Sequence, residues 1–160
     1  MFLFENPHPK GNTRVGDCVK RACVLASGIN YHDIAIMLNR YRKISGGERF
    51  NSNKNYKEFI EKVLLGRKDP SDMQHAFCGH RYTVEDYAQH KDCSNVILRC
   101  SKHLVACHYG DYLDTWDSGD KGVYIAWILP NTATIISHIK KNYPKLCKGL
   151  ELKRYHYENY

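Results

Sequence analysis

The chain has 160 residues, 42% of them hydrophobic and 26% charged, proportions typical of a single folded domain and not of a disordered or membrane-spanning chain. Its 24 basic and 17 acidic residues give a net charge of +7, with basic clusters over 40–43 and 140–153. The positive charge favours acidic partners in general. No helix-turn-helix, zinc finger or RNA-binding aromatic signature accompanies it, so we do not expect specific binding of nucleic acid.

The cysteines and the amino-terminal residues indicate a reducing compartment. Seven cysteines, an odd number without regular spacing, do not predict a disulfide framework. No signal peptide precedes the proline-rich stretch that follows Phe4, and no apolar run is long enough to cross a bilayer. We therefore expect a cytoplasmic protein with free thiols and no membrane partner, in which one reactive cysteine could carry the function.

The first part of the chain is predicted to be mainly helical. Residues 5–13 contain prolines and a glycine and predict an irregular lead-in, and residues 66–81 predict a loop. Asp17 and Gly28 are suitable caps for the first helix, while Thr83 and Asp86 have the spacing of a capping box. Apolar residues at helical spacing predict helices over 18–27, 32–41, 56–65 and 83–90.

The second part is predicted to form a sheet. Tyr109 and Gly110 predict a two-residue turn, and residues beyond Pro144 are expected to be only partly ordered. We expect an α+β fold in one domain over 1–160, with a mainly helical half (1–94), an antiparallel meander (95–129), and a helix with a basic tail (130–160). The predicted strands cover 95–99, 103–108, 112–116 and 123–129, and the predicted last helix covers 132–142.

Cys18 is the candidate nucleophile, because it follows Gly16-Asp17 at the start of a predicted helix. The positive end of a helix dipole favours thiolate over thiol, and a nearby imidazole would favour it further. Cys23, Cys100 and Cys107 lie within or beside apolar runs, so we interpret them as inert buried residues.

His103 is the candidate base, because it opens the strand next to the predicted turn. A two-residue turn at Tyr109-Gly110 places Trp116 opposite His103 and makes Asp114 a diagonal neighbour on the same sheet face. Asp114 could then orient the imidazole ring, and Trp116 could shield that contact from water. A three-residue loop would shift the register by one and bring Asp117 opposite His103 instead, so Asp117 is the rival orienting residue.

An acyl-transfer site also needs hydrogen-bond donors for an oxyanion. The backbone N–H of Cys18 at the helix start can supply one. Asn12, six positions earlier, could supply a second from its side chain, and Asn6 is the alternative.

Other motifs do not indicate a cofactor. The histidines and cysteines that could suggest zinc lack the spacing of common zinc sites, and we predict no metal or other cofactor. Gly46-Gly47 and the segment over 118–122 lack the order of a Walker loop and are interpreted as turns. The residues weighed for zinc were Cys78, His80, His90, Cys93 and His108.

These residues together resemble the papain-like cysteine peptidase superfamily. Gly16-Asp17-Cys18 is similar to its nucleophile helix, most of all in the bacteriocin-processing branch, and the run over 103–106 is similar to its histidine strand. Asp114-Thr115-Trp116 resembles the Asn-Ser-Trp of papain, and Asn12 stands where the superfamily places its oxyanion glutamine. The resemblance implies a papain-like fold with amino-terminal helices packed on a carboxy-terminal antiparallel sheet, and a catalytic triad of Cys18, His103 and Asp114.

A narrower resemblance, covering roughly residues 5–129, is to small proteins from phages and prophages of low-GC Gram-positive bacteria, with a Gly-Asp-Cys-Val, then His-Leu-Val-Ala, then Thr-Trp-Asp pattern. It implies a phage-encoded thiol hydrolase or (iso)peptidase in the bacterial host cytosol, acting on a protein or peptide. One alternative is a non-catalytic module of the same fold that binds and inhibits a host defence protein. A weaker alternative is a transglutaminase-like acyltransferase.

Overall fold

The architecture is α+β in the computed structural model, which describes residues 1–12, 16–46, 53–71, 79–90 and 94–158. In these ranges the helices are α1 (Cys18–Ser27), α2 (Tyr31–Ile44), α3 (Asn53–Glu58), α4 (Val84–His90) and α5 (Thr132–Asn142). The strands are β1 (Phe2–Phe4), β2 (Arg67–Lys68), β3 (Asn95–Cys100), β4 (His103–His108), β5 (Asp111–Asp114) and β6 (Ile125–Ile128).

Each predicted helix is present; α1 and α5 have the predicted bounds, and the ends of the other three are shifted. Helix α3 continues into one π-helical turn over Phe59–Val63, so this helical segment starts before the predicted residue 56. The capping box of α4 is confirmed, since the Asp86 N–H donates to the Thr83 hydroxyl at 3.1 Å and the Thr83 N–H donates to the Asp86 carboxylate at 3.3 Å. None of the helices in the described ranges is long and apolar enough to cross a membrane.

The described strands form one mixed sheet with the order β1-β5-β4-β3-β6-β2. Strands β3, β4 and β5 form the predicted antiparallel hairpins, but β6 pairs with β3 instead of β5. The predicted meander is therefore wrong, because the long connection over 115–124 lets the chain cross to the far side of β3, which a tight turn would not allow.

Two edge strands come from segments that were not predicted as strands. Strand β1 pairs in parallel with β5, so the sheet is not purely antiparallel and includes the amino-terminal residues. Strand β2 pairs with β6 inside the segment predicted as a loop over 66–81, of which residues 72–78 lie outside the described ranges. Both strands are too short for an alternating pattern to mark them.

The core lies on both faces of the sheet. In β4, Leu104 and Ala106 pack with α1 and α2, while Val105 and Cys107 pack with α4 on the opposite face. The predicted helical half therefore divides around the sheet. This burial of both faces explains why β4 is apolar at successive positions.

The carboxy-terminal tail is packed against the amino-terminal part through residue 158, contrary to the expected partial order. Leu146 and Leu152 are buried, and the Tyr157 hydroxyl donates to the Leu25 carbonyl at 2.5 Å. The Tyr155 hydroxyl donates at 2.6 Å to the carboxylate of Glu5, a fully buried residue. The tail's tyrosines and leucines serve this packing.

Candidate active site

The start of α1 positions Cys18, which is its first residue and half-buried. Gly28 ends the helix as predicted, with a φ of 75° and an N–H that donates to the Val24 carbonyl. The predicted capping role of Asp17 is wrong, because its side chain makes no cap hydrogen bond. The Asp17 carboxylate is buried and instead accepts bonds from the Arg21 guanidinium and the Tyr31 hydroxyl, which compensate its loss of hydration.

The β4–β5 hairpin has the predicted register. His108 pairs with Asp111 and Ala106 with Leu113, which leaves Tyr109 and Gly110 as the two-residue turn. Both turn residues have positive φ, 49° and 86°, as tight hairpin turns require.

This register brings His103 and Asp114 into contact. The His103 Nε2 lies 2.6 Å from the Asp114 Oδ2, and both side chains are buried. Because a carboxylate only accepts hydrogen bonds, Nε2 carries the proton and the remaining ring nitrogen, Nδ1, is available to Cys18.

Asp114 is held by further hydrogen bonds. The hydroxyl of Ser118, a fully buried residue, donates to Asp114 Oδ2 at 2.8 Å, and the Thr115 N–H donates to Oδ1 at 2.8 Å. The Glu5 N–H also donates to the Asp114 carbonyl at 3.1 Å, next to β1. The Ser118 and Thr115 bonds hold the carboxylate beside His103, and the Glu5 bond holds the Asp114 backbone.

The rival residue, Asp117, lies elsewhere. Its Oδ1 accepts a hydrogen bond from the Tyr112 hydroxyl at 2.6 Å and another from the Gly119 N–H at 3.0 Å. These bonds lower the pKa of the exposed Asp117 carboxyl. Asp117 therefore stabilises the turn after β5, while Asp114 contacts the histidine.

Trp116 lies against the imidazole ring of His103, with the ring centroids 4.9 Å apart and the planes tilted by 41°. The indole is 42% exposed, so it covers the histidine from the solvent side. Lys121 Nζ lies 5.9 Å from the centre of the same indole. This tilted ring contact is compatible with the predicted shielding.

Cys18 and His103 interact directly, and the interaction favours a charged pair. Burial alone would raise the pKa of the Cys18 thiol, but a hydrogen bond with His103, a bond from the Leu104 backbone N–H and the His103 charge bring it below its ordinary value of 9.0. Burial would lower the pKa of His103, but the bonds to Asp114 and Cys18 raise it to about 9. Both shifts therefore favour the thiolate–imidazolium pair over the neutral pair, relative to the isolated side chains.

The other buried cysteines have the opposite electrostatics. Cys23, Cys100 and Cys107 are at most 1% exposed, as predicted. Burial raises the pKa of Cys23 far above its ordinary value and that of Cys100 to about 12. These two thiols stay protonated, so Cys18 is electrostatically distinct from them.

The predicted oxyanion donors do not line the cleft. Asn12 is exposed, and residues 13–15, which connect it to α1, lie outside the described ranges. Asn6 is half-buried, its Oδ1 accepts from the His8 N–H at 3.1 Å, and its Nδ2 is a buried donor without a hydrogen-bond partner in the described chain. The backbone N–H of Cys18 stays the predicted first donor.

A cleft of about 350 Å³ opens beside Cys18. Its walls come from the start of α1, from α3, and from the β3–β4 hairpin. The lining residues are Gly16, Cys18, Val19, Tyr56, Arg99, Cys100, Lys102, His103 and Leu104.

Several of these contacts were not anticipated from the sequence. Ser118 was read only as part of a turn, although a hydroxyl four positions after an acidic residue was the available signal. Arg99 ends one predicted strand and Lys102 precedes the next, where charged residues are common, so nothing distinguished them. The Leu104 N–H is a backbone group and leaves no trace in the sequence.

Comparison with known proteins does not identify this site. No protein-family model, curated protein or solved structure matches the chain. The described residues contain no cluster of histidine, cysteine or acidic side chains suited to a metal. The two cysteines weighed for zinc, Cys78 and Cys93, lie outside the described ranges, as does Gly47 of the predicted Gly46-Gly47 turn. The function must therefore be inferred from the side chains at the start of α1 and on β4 and β5.

Proposed function

We propose that this protein is a thiol hydrolase that cleaves a peptide or isopeptide bond, with Cys18 as the nucleophile. The observation that supports it is the placement of Cys18 beside an open cleft and next to His103, which lowers its pKa and is itself held by Asp114 at 2.6 Å. Structural cysteines are neutral and buried, whereas Cys18 is only half-buried and its pKa is lowered.

The chemistry would proceed in two balanced steps. The Cys18 thiolate attacks the carbonyl carbon and forms a C–S bond, and the carbonyl electrons move to oxygen. Collapse of this intermediate breaks the C–N bond, and the His103 imidazolium gives its proton to the leaving amine. Water then attacks the thioester while His103 takes its proton, and cleavage of the C–S bond releases the carboxylic acid and the thiolate.

The other residues would support these steps without joining them. Asp114 would keep His103 in the tautomer that faces Cys18, and Ser118 would hold Asp114 in place. The Cys18 N–H at the start of α1 would stabilise the oxyanion. We include a papain-like arrangement in the proposal, supported by a nucleophile at a helix start and a histidine on the adjacent strand.

Site-resolved alkylation tests the proposal. We expect iodoacetamide to label Cys18 with an apparent pKa well below the ~8.5 of a free thiol. His103→Ala should raise that pKa. The half-exposed Cys147, far from His103 in sequence, serves as an internal comparison in the same mass spectrum.

Cys18→Ala should abolish hydrolysis of a peptide mixture and leave the free energy of unfolding nearly unchanged. Hydrolysis that survives this substitution contradicts the mechanism. A Cys18 that labels no faster than Cys147 at neutral pH contradicts it as well, and would favour the non-catalytic binding module. Incorporation of a labelled primary amine in place of water would instead identify an acyltransferase.

A further inference from the structure

The cleft beside Cys18 carries positive charge. Arg99 near the end of β3 and Lys102 in the turn before β4 line it together with His103, and the described lining includes no Asp or Glu. Lys102 is exposed and Arg99 is half-buried. Neither forms an ion pair with a residue in the described ranges.

The two cations are not needed to create the thiolate. His103 and the Leu104 N–H account for the lowered pKa of Cys18. Arg99 hydrogen-bonds the side chain of Tyr56, another residue of the cleft wall. A guanidinium has five N–H donors in a planar fork, so Arg99 can bond Tyr56 and a ligand at the same time.

We propose that the substrate carries an acidic side chain beside the bond that Cys18 attacks, and that Arg99 and Lys102 bind its carboxylate. This inference rests on the proposed function and names its substrate class. Arg99 suits the two oxygens of a carboxylate, and Lys102 adds a second charge from the turn.

The same residues select against other substrates. A basic side chain in this cleft would meet two cations and the His103 imidazolium. An apolar side chain would remove water from two charges without replacing its hydrogen bonds. The cleft volume of about 350 Å³ accommodates one side chain with its adjoining backbone, so the selection concerns a residue near the reacting carbonyl.

Two alkylating reagents of nearly equal size test the charge of the cleft. Iodoacetate is an anion and iodoacetamide is neutral, and both release iodide when the Cys18 thiolate attacks. We measure the ratio of the iodoacetate rate to the iodoacetamide rate at Cys18. We expect this ratio to be at least about threefold higher in the folded protein than in the urea-unfolded chain. It should fall in 1 M salt, where the Debye length is about 3 Å.

Charge variants assign the effect to the two residues. Lys102→Gln and Arg99→Gln should each lower the ratio by about two- to fivefold, while Arg99→Lys should keep it, because the charge remains. The matched control is Lys153→Gln, which removes an exposed lysine that pairs with Glu151 outside this cleft and should leave the ratio unchanged. The imidazolium of His103 is present in all variants, so the differences report Arg99 and Lys102.

Protection by short peptides separates a side-chain carboxylate from a terminal one. The peptide acetyl-Ala-Ala-Glu-Ala-Ala-amide should slow iodoacetamide labelling of Cys18 at millimolar concentration, and its glutamine counterpart should not. Lys102→Gln should weaken the protection. Equal protection by both peptides, protection by neither, or protection only by a peptide with a free terminal carboxylate overturns the inference.

The two proposals fail in different ways. A Cys18 with a depressed pKa but no preference for iodoacetate leaves the proposed function intact and overturns the acidic substrate. A Cys18 that reacts with neither reagent overturns the proposed function, and the acidic substrate with it.

Discussion

Asp114→Asn is the substitution that isolates the role of the Asp114 carboxylate. It keeps the size of the side chain and one acceptor oxygen for Ser118, but it removes the negative charge that accepts the His103 Nε2–H. We expect the pKa of His103 to fall. The pKa of Cys18 should change less than the pKa of His103, because the Asp114 charge that is removed itself raises the pKa of Cys18.

The size of the effect follows from the contributions to the His103 pKa. Burial lowers this pKa, and four contributions then raise it from 6.5 to about 9, two of them from Asp114 and two from Cys18. Its bond to Asp114 is the largest of the four. Removing the carboxylate should therefore lower the pKa by at least about one pH unit, which is about 1.4 kcal/mol.

The sign of the pH dependence of stability is also determined. Because the pKa of His103 is higher in the folded protein, the protonated ring stabilises the fold fully below pH 6.5, and this stabilisation is lost as the pH rises through about 9. The difference in free energy of unfolding between the native protein and Asp114→Asn should therefore be largest at acidic to neutral pH and should shrink above pH 9.

NMR titration of the His103 ring measures the pKa directly, and urea unfolding at several pH values measures the linkage. Asp117→Asn is the matched control, because Asp117 bonds Tyr112 and not the histidine. An unchanged His103 pKa in Asp114→Asn, or an equal drop in Asp117→Asn, would refute the assignment of Asp114 as the orienting residue.

Three further substitutions test the support of this site and of the fold. Ser118→Ala should cost about 1–3 kcal/mol in urea unfolding, because it leaves the buried Asp114 carboxylate with one donor fewer, and a stability equal to that of the native protein would contradict this. Tyr155→Phe should cost a similar amount by removing a donor from the buried carboxylate of Glu5, and a melting temperature that does not move would show that this tail contact contributes nothing. Gly28→Ala should destabilise by about 1 kcal/mol or more, since φ is 75° and a Cβ would collide with a threonine of α5; thermal unfolding checks it, and a rise in the melting temperature would count against the strain.

The parts of the fold that could be predicted are those governed by local chemistry. Helical spacing and Gly28 marked α1, and the Thr83–Asp86 spacing marked the start of α4. The Tyr109-Gly110 turn determined the β4–β5 register and, with it, the contact between His103 and Asp114. A tight turn leaves few backbone conformations, so its register follows from the sequence.

The parts that could not be predicted depend on contacts between distant segments. The position of β6 beside β3, the parallel edge strand β1 and the docking of the tail on Glu5 join segments that carry no mutual signal. Asp17 was expected to cap α1, but its carboxylate pairs with the Arg21 guanidinium. A buried carboxylate is better compensated by a positive charge than by a backbone N–H.

The sequence by itself determined the α+β class, the helix start at Cys18 and the hairpin that joins His103 to Asp114, since each depends on residues a few positions apart. The tertiary structure alone decided that α1 packs on β4, so that Cys18 meets His103. It also decided that Arg99 and Lys102 face the same cleft. The physical reason is that burial and charge at a site are sums over segments far apart in the chain, and only packing brings those segments together.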